Sequence, residues 1–159
     1  MHNHEFVNIF YLVASVKMTP ELQNEAISNQ LAVSMNESDK NILIVEDSPT
    51  MRRIIHNTLK QLGFRNVVSA GNGAEAIKQL GQNSIGFIIT DWNMPEMNGL
   101  EFVTWVRNND QFKDLPILMI TTRGMKEHVI EAVKAGVNNY IVKPFTTEVL
   151  QEKIEKLMI

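Results

Sequence analysis

The chain has 159 residues, of which 44% are hydrophobic, and this is enough to fill the core of one domain. Its formal net charge of -3 at pH 7 lacks the basic excess of nucleic-acid-binding proteins, so we expect no nucleic-acid partner. It contains no cysteine, which excludes a disulfide framework, a thiolate nucleophile and a thiolate metal site.

Residues 1–38 differ from the rest of the chain, because they are rich in Asn and Gln and show no alternation of strand and helix patterns. We interpret them as a weakly structured N-terminal extension. The alternatives are a partner-binding helix that starts near Thr19 and an upstream start codon that precedes the true one at Met35. The apolar stretch Phe6–Val16 is shorter than the roughly 20 residues of a membrane span and lacks the basic flank of a secretory signal. We therefore expect a cytoplasmic protein without membrane contact.

Residues 39–159 are interpreted as one domain, in which short apolar runs alternate with helical patterns. The first run, Ile42–Val45, has no polar alternation, which is typical of a parallel strand covered by helices on both faces. Ser48 then offers a helix cap and Pro49 a first helical position, and apolar residues follow at helical spacing up to Gly63. These residues predict one complete strand–helix unit.

Four further strand–helix units follow in the sequence. The strands are predicted at Val67–Val68, Phe87–Thr90, Ile117–Ile120 and Tyr140–Val142, and the helices at about Ala74–Leu80, Gly99–Asn108, Lys126–Ala135 and Thr147–Leu157. This alternation predicts an α/β fold, with a five-stranded parallel sheet, right-handed crossovers and helices on both faces. In such a sheet, ligands bind at the carboxyl ends of the strands.

Chemically active side chains follow four of the predicted strands. They are Glu46 and Asp47 after the first, Asp91 after the third, Thr121 and Thr122 at the end of the fourth and Lys143 after the fifth. Any single acidic residue there is more often a helix cap, but their joint occurrence predicts a site. Carboxylates at close range repel each other and attract a cation, and Mg²⁺ prefers oxygen ligands. The sequence thus predicts a Mg²⁺ site that is weak until a phosphoryl donor supplies more oxygens.

Four motifs carry a resemblance to a known family. They are Val45–Arg53, Asp91–Gly99, Met119–Thr122 and Tyr140–Phe145. On these motifs, residues 41–159 resemble the response-regulator receiver domain, and in particular its stand-alone chemotaxis type. The resemblance implies a doubly wound, flavodoxin-like sheet with strand order 2-1-3-4-5, an order known for that family and not worked out from the spacing.

The resemblance implies a role for each residue of the predicted site. Asp91 is the expected phosphoacceptor, which attacks a phosphohistidine of a histidine kinase and forms an acyl phosphate. Asp47, Asp91 and the backbone carbonyl of Asn93 are the expected Mg²⁺ ligands. Glu46 departs from the commoner aspartate and is expected to act through water. Lys143 is expected to neutralise a phosphoryl oxygen during transfer.

Two residues are the expected switch. The hydroxyl of Thr121 would donate to a phosphoryl oxygen and draw the loop after the fourth strand toward Asp91, and Tyr140 would turn into the vacated space. The altered face would comprise the helix from Lys126, the fifth strand and the last helix.

Other expectations concern the surroundings of the site. Asn93 and Arg123 would flank the path of an attacking water and tune the lifetime of the phosphate. Arg123 stands where the family often has an acidic residue. The resemblance also implies a cis peptide bond before Pro144, which would orient Lys143; such bonds are essentially confined to proline.

The sequence therefore predicts a single-domain response regulator of a two-component phosphorelay, for chemotaxis and flagellar motor control. It would be a phosphoacceptor with self-catalysed phosphorylation and dephosphorylation, and not an enzyme. We expect no output module after the fifth helix, so the output would go through a partner. The expected protein is a monomer, and its expected partners are a histidine kinase, a flagellar motor switch protein and a phosphatase. A phosphate sink or relay in a non-chemotaxis pathway is the alternative.

Three competing readings carry less weight. Gly71–Ala76 fits the G-x-G-x-x-A dinucleotide fingerprint, with Asp91 at the spacing of its ribose-binding acid, but a strand precedes this unit and the acidic cluster already needs Asp91. A degenerate receiver would lack the nucleophile, the acidic metal ligand or the lysine, and this chain has all three. An aspartate phosphatase would show D-x-D where this chain has Asn93.

Four basic side chains on the predicted helices are interpreted as solvent-exposed. They are Arg52, Arg53, His56 and His128.

Overall fold

Five strands alternate with five helices in the computed structural model, which describes residues 41–157. The strands are β1 (Asn41–Val45), β2 (Val67–Ala70), β3 (Ile85–Thr90), β4 (Ile117–Thr121) and β5 (Asn139–Val142). The helices are α1 (Pro49–Gln61), α2 (Gly73–Gln82), α3 (Gly99–Arg107), α4 (Lys126–Ala135) and α5 (Thr147–Leu157). The expectations for residues 1–38 lie outside the described residues. Within residues 41–157, no helix combines the length and the apolar character that crossing a membrane requires.

The strands form one parallel sheet in the order β2-β1-β3-β4-β5, which confirms the predicted fold class. The chain runs from β1 to β2 on one side and then returns to β3 on the other side of β1. The order of the strands therefore reverses between β1 and β3. In open α/β sheets, the crevice at the carboxyl ends of two such strands is the usual place for a ligand.

Alternate residues of β1 enter two separate cores, which explains its unbroken apolar run. Leu43 packs on one face of the sheet, in a cluster with side chains of α2, α3 and α4. Ile44 packs on the other face, in a cluster with α1 and α5. Both side chains have no exposed surface. Burial on two faces removes the polar alternation that a half-exposed strand shows.

The ends of α1 follow local rules that the sequence displays. The side chain of Ser48 accepts a hydrogen bond from the N–H of Met51, and Pro49 occupies the first turn. Gly63, just beyond the helix, adopts a left-handed φ of 92°, which glycine allows without steric cost. The cap fixes where the helix begins, and therefore fixes the short loop at residues 46–48 that carries two acidic side chains.

The other helix bounds agree with prediction to within a few residues. The largest difference is in α2, which begins at Gly73 and ends at Gln82. It begins there because the side chain of Asn72 accepts a hydrogen bond from the N–H of Glu75 and acts as the N-cap.

Candidate functional site

Asp91 lies at the carboxyl end of β3 and is only 8% exposed. Its backbone N–H donates to the carbonyl of Val45, at 2.9 Å, so the pairing of β1 with β3 continues to this residue. Its Oδ1 accepts the N–H of Trp92 at 2.6 Å, and its Oδ2 accepts from Nζ of Lys143 at 3.2 Å. Contacts to both oxygens fix the orientation of the carboxylate before any ligand binds.

The loop that follows Asp91 returns to it at Gly99, the first residue of α3. The N–H of Gly99 donates to the carbonyl of Trp92 at 2.8 Å. A Cβ at Gly99 would lie 1.9 Å from the carbonyl oxygen of Asp91, so no larger residue fits there without moving the backbone. The glycine therefore holds the loop with Asn93 beside the acidic residue.

Three carboxylates meet at the end of the sheet. One oxygen from each of Glu46, Asp47 and Asp91 lies within 4.8 Å of the others, and we call this group the acidic cluster. Glu46 is 2% exposed, and its oxygens accept from the N–H of Ser48 at 3.0 Å and from Nζ of Lys143 at 2.8 Å. Asp47 is exposed to solvent. An all-oxygen donor set with one open side fits Mg²⁺, which keeps several waters and takes phosphate oxygens.

The charges of the acidic cluster are only partly compensated. Burial raises the pKa of Glu46, and the charge of Asp91 raises it further, against the lowering effect of Lys143 and of the N–H of Ser48. Burial alone would lower the pKa of Lys143, but its hydrogen bond to Glu46 and the charges of both carboxylates outweigh this and raise it. Lys143 is therefore protonated. The formal charge of three carboxylates exceeds that of one ammonium, and this excess would attract a divalent cation.

The two neighbouring threonines at the end of β4 differ in burial. Thr121 has no exposed surface, whereas Thr122, beyond the strand, is exposed. Oγ1 of Thr121 accepts the N–H of Arg123 at 3.3 Å, and its carbonyl accepts the N–H of Lys143 at 2.8 Å. Thr121 thus adjoins the lysine and retains a hydroxyl hydrogen to donate. Position after β4 did not distinguish the two threonines, and the family resemblance assigned the switch to Thr121. Its burial favours the same residue.

Arg123 contacts both Asn93 and Tyr140, which were expected to have separate roles. Its Nε donates to Oδ1 of Asn93 at 3.0 Å, and its guanidinium lies 4.9 Å from the centre of the Trp92 ring. The hydroxyl of Tyr140 donates to the backbone carbonyl of Arg123. Asn93, Arg123 and Tyr140 therefore form one connected group beside the acidic cluster.

Tyr140 is a neutral phenol over the physiological pH range. Burial, together with the charges of Asp91 and Glu131, raises the pKa of Tyr140 to about 12, against the opposing charge of Arg123. The phenol therefore keeps the hydrogen that it donates to the carbonyl of Arg123.

Two of the four basic side chains interpreted as solvent-exposed are partly buried. Arg52 is half-buried, and its Nη1 donates to the carbonyl of Glu46 at 2.5 Å, with a longer contact of 3.5 Å to the carbonyl of Asp47. His128 is half-buried with its ring edge-on to Trp92, the ring centres being 5.8 Å apart. Arg53 and His56 are exposed, as expected. Nothing in the sequence near Arg52 marks it as different from Arg53, because the contact depends on how α1 leaves β1.

The second glycine of the dinucleotide-like motif, Gly73, has a packing role. The N–H of Gly73 donates to the carbonyl of Met97 at 3.0 Å, and a Cβ at Gly73 would lie 2.6 Å from Cγ of Met97. The close approach that this glycine allows is therefore to the loop after β3.

The expected cis bond is present between Lys143 and Pro144.

Comparison with known proteins agrees with this architecture. A family model described as response regulator receiver domain matches residues 42–155. The chain is 58% identical to chemotaxis protein CheY1 of Helicobacter pylori over 118 residues, which are 74% of this chain and 95% of that protein.

Two solved structures show the same fold. Chemotaxis response regulator CheY4 of Vibrio cholerae is similar with a TM-score of 0.69 at 36% identity, and the match covers 74% of this chain and 98% of that chain. The receiver domain of sensor histidine kinase PA1611 of Pseudomonas aeruginosa, solved with a magnesium ion coordinated in its active site cleft, gives 0.68 at 26% identity and covers 75% and 97%.

Proposed function

Because this chain belongs to the response regulator receiver family and closely matches chemotaxis regulators of the CheY type, we propose that Asp91 is its phosphoacceptor. The observation that carries the proposal is the contact between Lys143 and Asp91 within the acidic cluster, with Nζ 3.2 Å from Oδ2. The proximity of these groups at one end of the sheet supports the roles proposed for them: Asp91 as nucleophile, the neighbouring carboxylates as metal ligands and Lys143 as the cation for the transferred group.

The proposed reaction is an in-line displacement. A carboxylate oxygen of Asp91 attacks the phosphorus of a phosphohistidine, the phosphorus–nitrogen bond breaks, and the imidazole leaves with the electron pair. Asp47, Asp91 and the backbone carbonyl of Asn93 would hold Mg²⁺, with Glu46 acting through water. When bound, the ion neutralises charge on the phosphoryl oxygens.

Lys143 supplies the second positive charge in this proposal. Its ammonium exchanges the contact with Asp91 for one with a phosphoryl oxygen and keeps the contact with Glu46. The 2.8 Å hydrogen bond to Glu46 supports this role, because a buried carboxylate holds the ammonium at the site before and after transfer. A donor already in place needs little reorganisation in the transition state.

Thr121 and Tyr140 are proposed to convert the phosphoryl group into a change of surface. The hydroxyl of Thr121 donates to a phosphoryl oxygen and draws the loop at Arg123 toward Asp91. Since Tyr140 donates to the carbonyl of Arg123, movement of this loop also repositions the tyrosine. The charge introduced at Asp91 is thereby linked to β5 and to the helices on either side of it.

The output face of this proposal is the surface of α4, β5 and α5. Of the six large hydrophobic side chains that are exposed in residues 41–157, five lie on it or at its border: Met125, Ile130, Val133, Val142 and Val149. Apolar side chains clustered on one face are typical of a surface that binds another protein.

We propose that residues 39–159 act as a cytoplasmic, monomeric receiver with self-catalysed phosphorylation and dephosphorylation. A histidine kinase of the chemotaxis type is the proposed donor and a flagellar motor switch protein the proposed target, with a phosphatase as a further partner. Similarity to chemotaxis proteins along 95% of the length of one relative supports this choice over a phosphate sink or relay.

Phosphorylation of the wild type and of Asp91→Asn tests the chemistry. With acetyl phosphate and Mg²⁺, we expect the wild type to gain the mass of one phosphoryl group and Asp91→Asn to gain none. Equal labelling of both would place the phosphate elsewhere and overturn the assignment.

A pull-down with a motor switch peptide tests the partner. Binding is expected to rise on phosphorylation and to fall in Val133→Lys. The matched control is Ile54→Lys, which adds the same charge at an exposed apolar position on α1. Binding that ignores phosphorylation, or that Ile54→Lys weakens equally, would contradict the proposed face.

A further inference from the structure

Arg52 holds the short segment that carries the first two acidic residues. It lies in the first turn of α1, and its backbone N–H donates to the carbonyl of Ser48 at 2.9 Å. Its side chain turns back toward β1, where Nη1 lies 2.5 Å from the carbonyl oxygen of Glu46 and 3.5 Å from that of Asp47. The next residue, Arg53, is exposed.

The contact fixes the carbonyl of the peptide between Glu46 and Asp47. The preceding peptide is fixed as well, because the N–H of Glu46 donates to the carbonyl of Ala70 in β2 at 3.0 Å. The N–H and the carbonyl of Glu46 are thus both held, and the direction in which the chain continues to Asp47 is set. A hydrogen bond from a charged donor is among the stronger ones in proteins.

We propose that Arg52 is a positioning residue for the magnesium site, which acts through the backbone and directs Asp47 toward Glu46 and Asp91. This inference rests on the proposed function, because it requires that Asp47 is a metal ligand. It assigns Arg52 a role that differs from that of a charged side chain on a helix surface. Groups that orient metal ligands typically contribute about tenfold or more to metal affinity.

A positioning role and a purely electrostatic role predict opposite effects of substitution. A positive charge near the site repels Mg²⁺, so an electrostatic role predicts that removal of the charge tightens binding. A positioning role predicts that loss of the contact weakens binding. Lysine separates the two, because it keeps the charge but ends short of the guanidinium nitrogen and presents a different donor geometry.

Titration of the full chain with Mg²⁺, followed by calorimetry and by the fluorescence of Trp92, tests the proposal. The chain has two tryptophans, so the fluorescence is measured in a Trp105→Phe background, in which Trp92 alone contributes. Arg52→Lys and Arg52→Gln are compared with the matched controls Arg53→Lys and Arg53→Gln. We expect both Arg52 variants to raise the Kd for Mg²⁺ by about tenfold and both controls to match the wild type.

A kinetic measurement completes the test. In phosphorylation by acetyl phosphate, the Arg52 variants should need more Mg²⁺ for half-maximal rate and should approach the wild-type rate when Mg²⁺ saturates. Wild-type affinity in Arg52→Lys, tighter binding in Arg52→Gln, or a lower melting temperature with an unchanged Kd would each overturn the inference.

The wild type distinguishes failure of the proposed function from failure of the role of Arg52. If the wild type itself binds no Mg²⁺, or takes up no phosphoryl group at saturating Mg²⁺, the proposed function fails. Absence of Mg²⁺ binding by the wild type also overturns the role of Arg52. If the wild type binds Mg²⁺ and is phosphorylated while the Arg52 variants bind Mg²⁺ equally well, only the role of Arg52 fails.

Discussion

The two ends of the sheet each contain a half-buried basic side chain, and their partners differ in charge. At the carboxyl ends of the strands, Lys143 contacts two carboxylates, those of Glu46 and Asp91. At the amino ends of β4 and β5, Arg107 donates to neutral oxygens only: the carbonyls of Lys113, Leu115 and Gly136 and the side chain of Asn138. We call this second group the Arg107 network.

The two environments shift the pKa values of the basic groups in opposite directions. Burial lowers the pKa of Arg107, although Asp114 opposes this. Carboxylate partners raise the pKa of Lys143 in spite of burial. In the Arg107 network, the guanidinium donors contact four neutral acceptors. The negative charge of the acidic cluster exceeds the positive charge of Lys143. The cluster can therefore bind a further cation, and Lys143 can exchange a carboxylate for another anion during a reaction.

Substitution of Lys143 should have the largest effect on activity and little effect on the amino end of the sheet. We expect Lys143→Met to slow phosphorylation of Asp91 by acetyl phosphate by about 100-fold or more, because a preorganised charge on the phosphoryl group is lost. The control is Lys60→Met, which removes an exposed lysine from α1. A rate within a factor of about two of the wild type would show that Lys143 has no role in transfer, because the loss of even one hydrogen bond is expected to change the rate by more than this.

Substitution of Arg107 should have the complementary result. We expect Arg107→Met to lower the free energy of unfolding by about 2–3 kcal/mol, because acceptors near β4 and β5 lose a charged donor. Urea denaturation measures this, and the phosphorylation rate of the folded protein should not change. Lys113→Met is the control, since its ion pair with Asp110 is exposed and contributes at most about 1 kcal/mol. A slower reaction without loss of stability would contradict the comparison between the two ends.

Arg123 should affect the lifetime of the phosphate more than its formation. Arg123→Ala removes the hydrogen bond to Asn93 and uncovers Trp92, and we expect dephosphorylation to accelerate by about fivefold, the equivalent of one hydrogen bond. Rapid removal of acetyl phosphate by desalting, with Mg²⁺ kept present, separates the two rates. Equal changes in both rates would refute this role.

The smallest expected signal is the ionisation of Tyr140. Because burial raises the pKa of Tyr140 to about 12, its phenol should stay neutral near pH 10, where an ordinary tyrosine is half ionised. The difference in ultraviolet absorbance between the wild type and Tyr140→Phe reports this one residue, while circular dichroism shows the range in which the chain is folded. Ionisation of Tyr140 near pH 10 in the folded protein would mean that it is not held against Arg123.

Local patterns in the sequence were sufficient to predict the helices, the strands and the α/β class, but not the strand order. The apolar run of β1, the Ser48 cap and the terminal glycine of α1 each depend on neighbouring residues, so they can be read without knowledge of the rest of the chain. The acidic residues of the site were predictable for the same reason, because they directly follow strands. The strand order came from family resemblance, and the sheet confirms it.

Side-chain contacts between distant segments could not be predicted in this way. The bonds from Arg123 to Asn93 and from Arg107 to Asn138 join residues 30 and 31 positions apart. The contact of Arg52 with the Glu46 carbonyl depends on the angle between β1 and α1. A basic side chain on a helix gives the same sequence pattern whether it meets water or a backbone carbonyl.

We propose that one phosphoryl site with bound Mg²⁺ is surrounded by Asp91, Asp47, Thr121 and Lys143. A crystal structure with Mg²⁺ and trifluoroberyllate, a stable phosphoryl analogue, tests this arrangement most directly. We predict the analogue on Asp91, Mg²⁺ on Asp47, Asp91 and the carbonyl of Asn93, and contacts from Lys143 and Thr121 to its fluorines. An analogue bound elsewhere, or Lys143 and Asp47 out of reach of it, would contradict the claim.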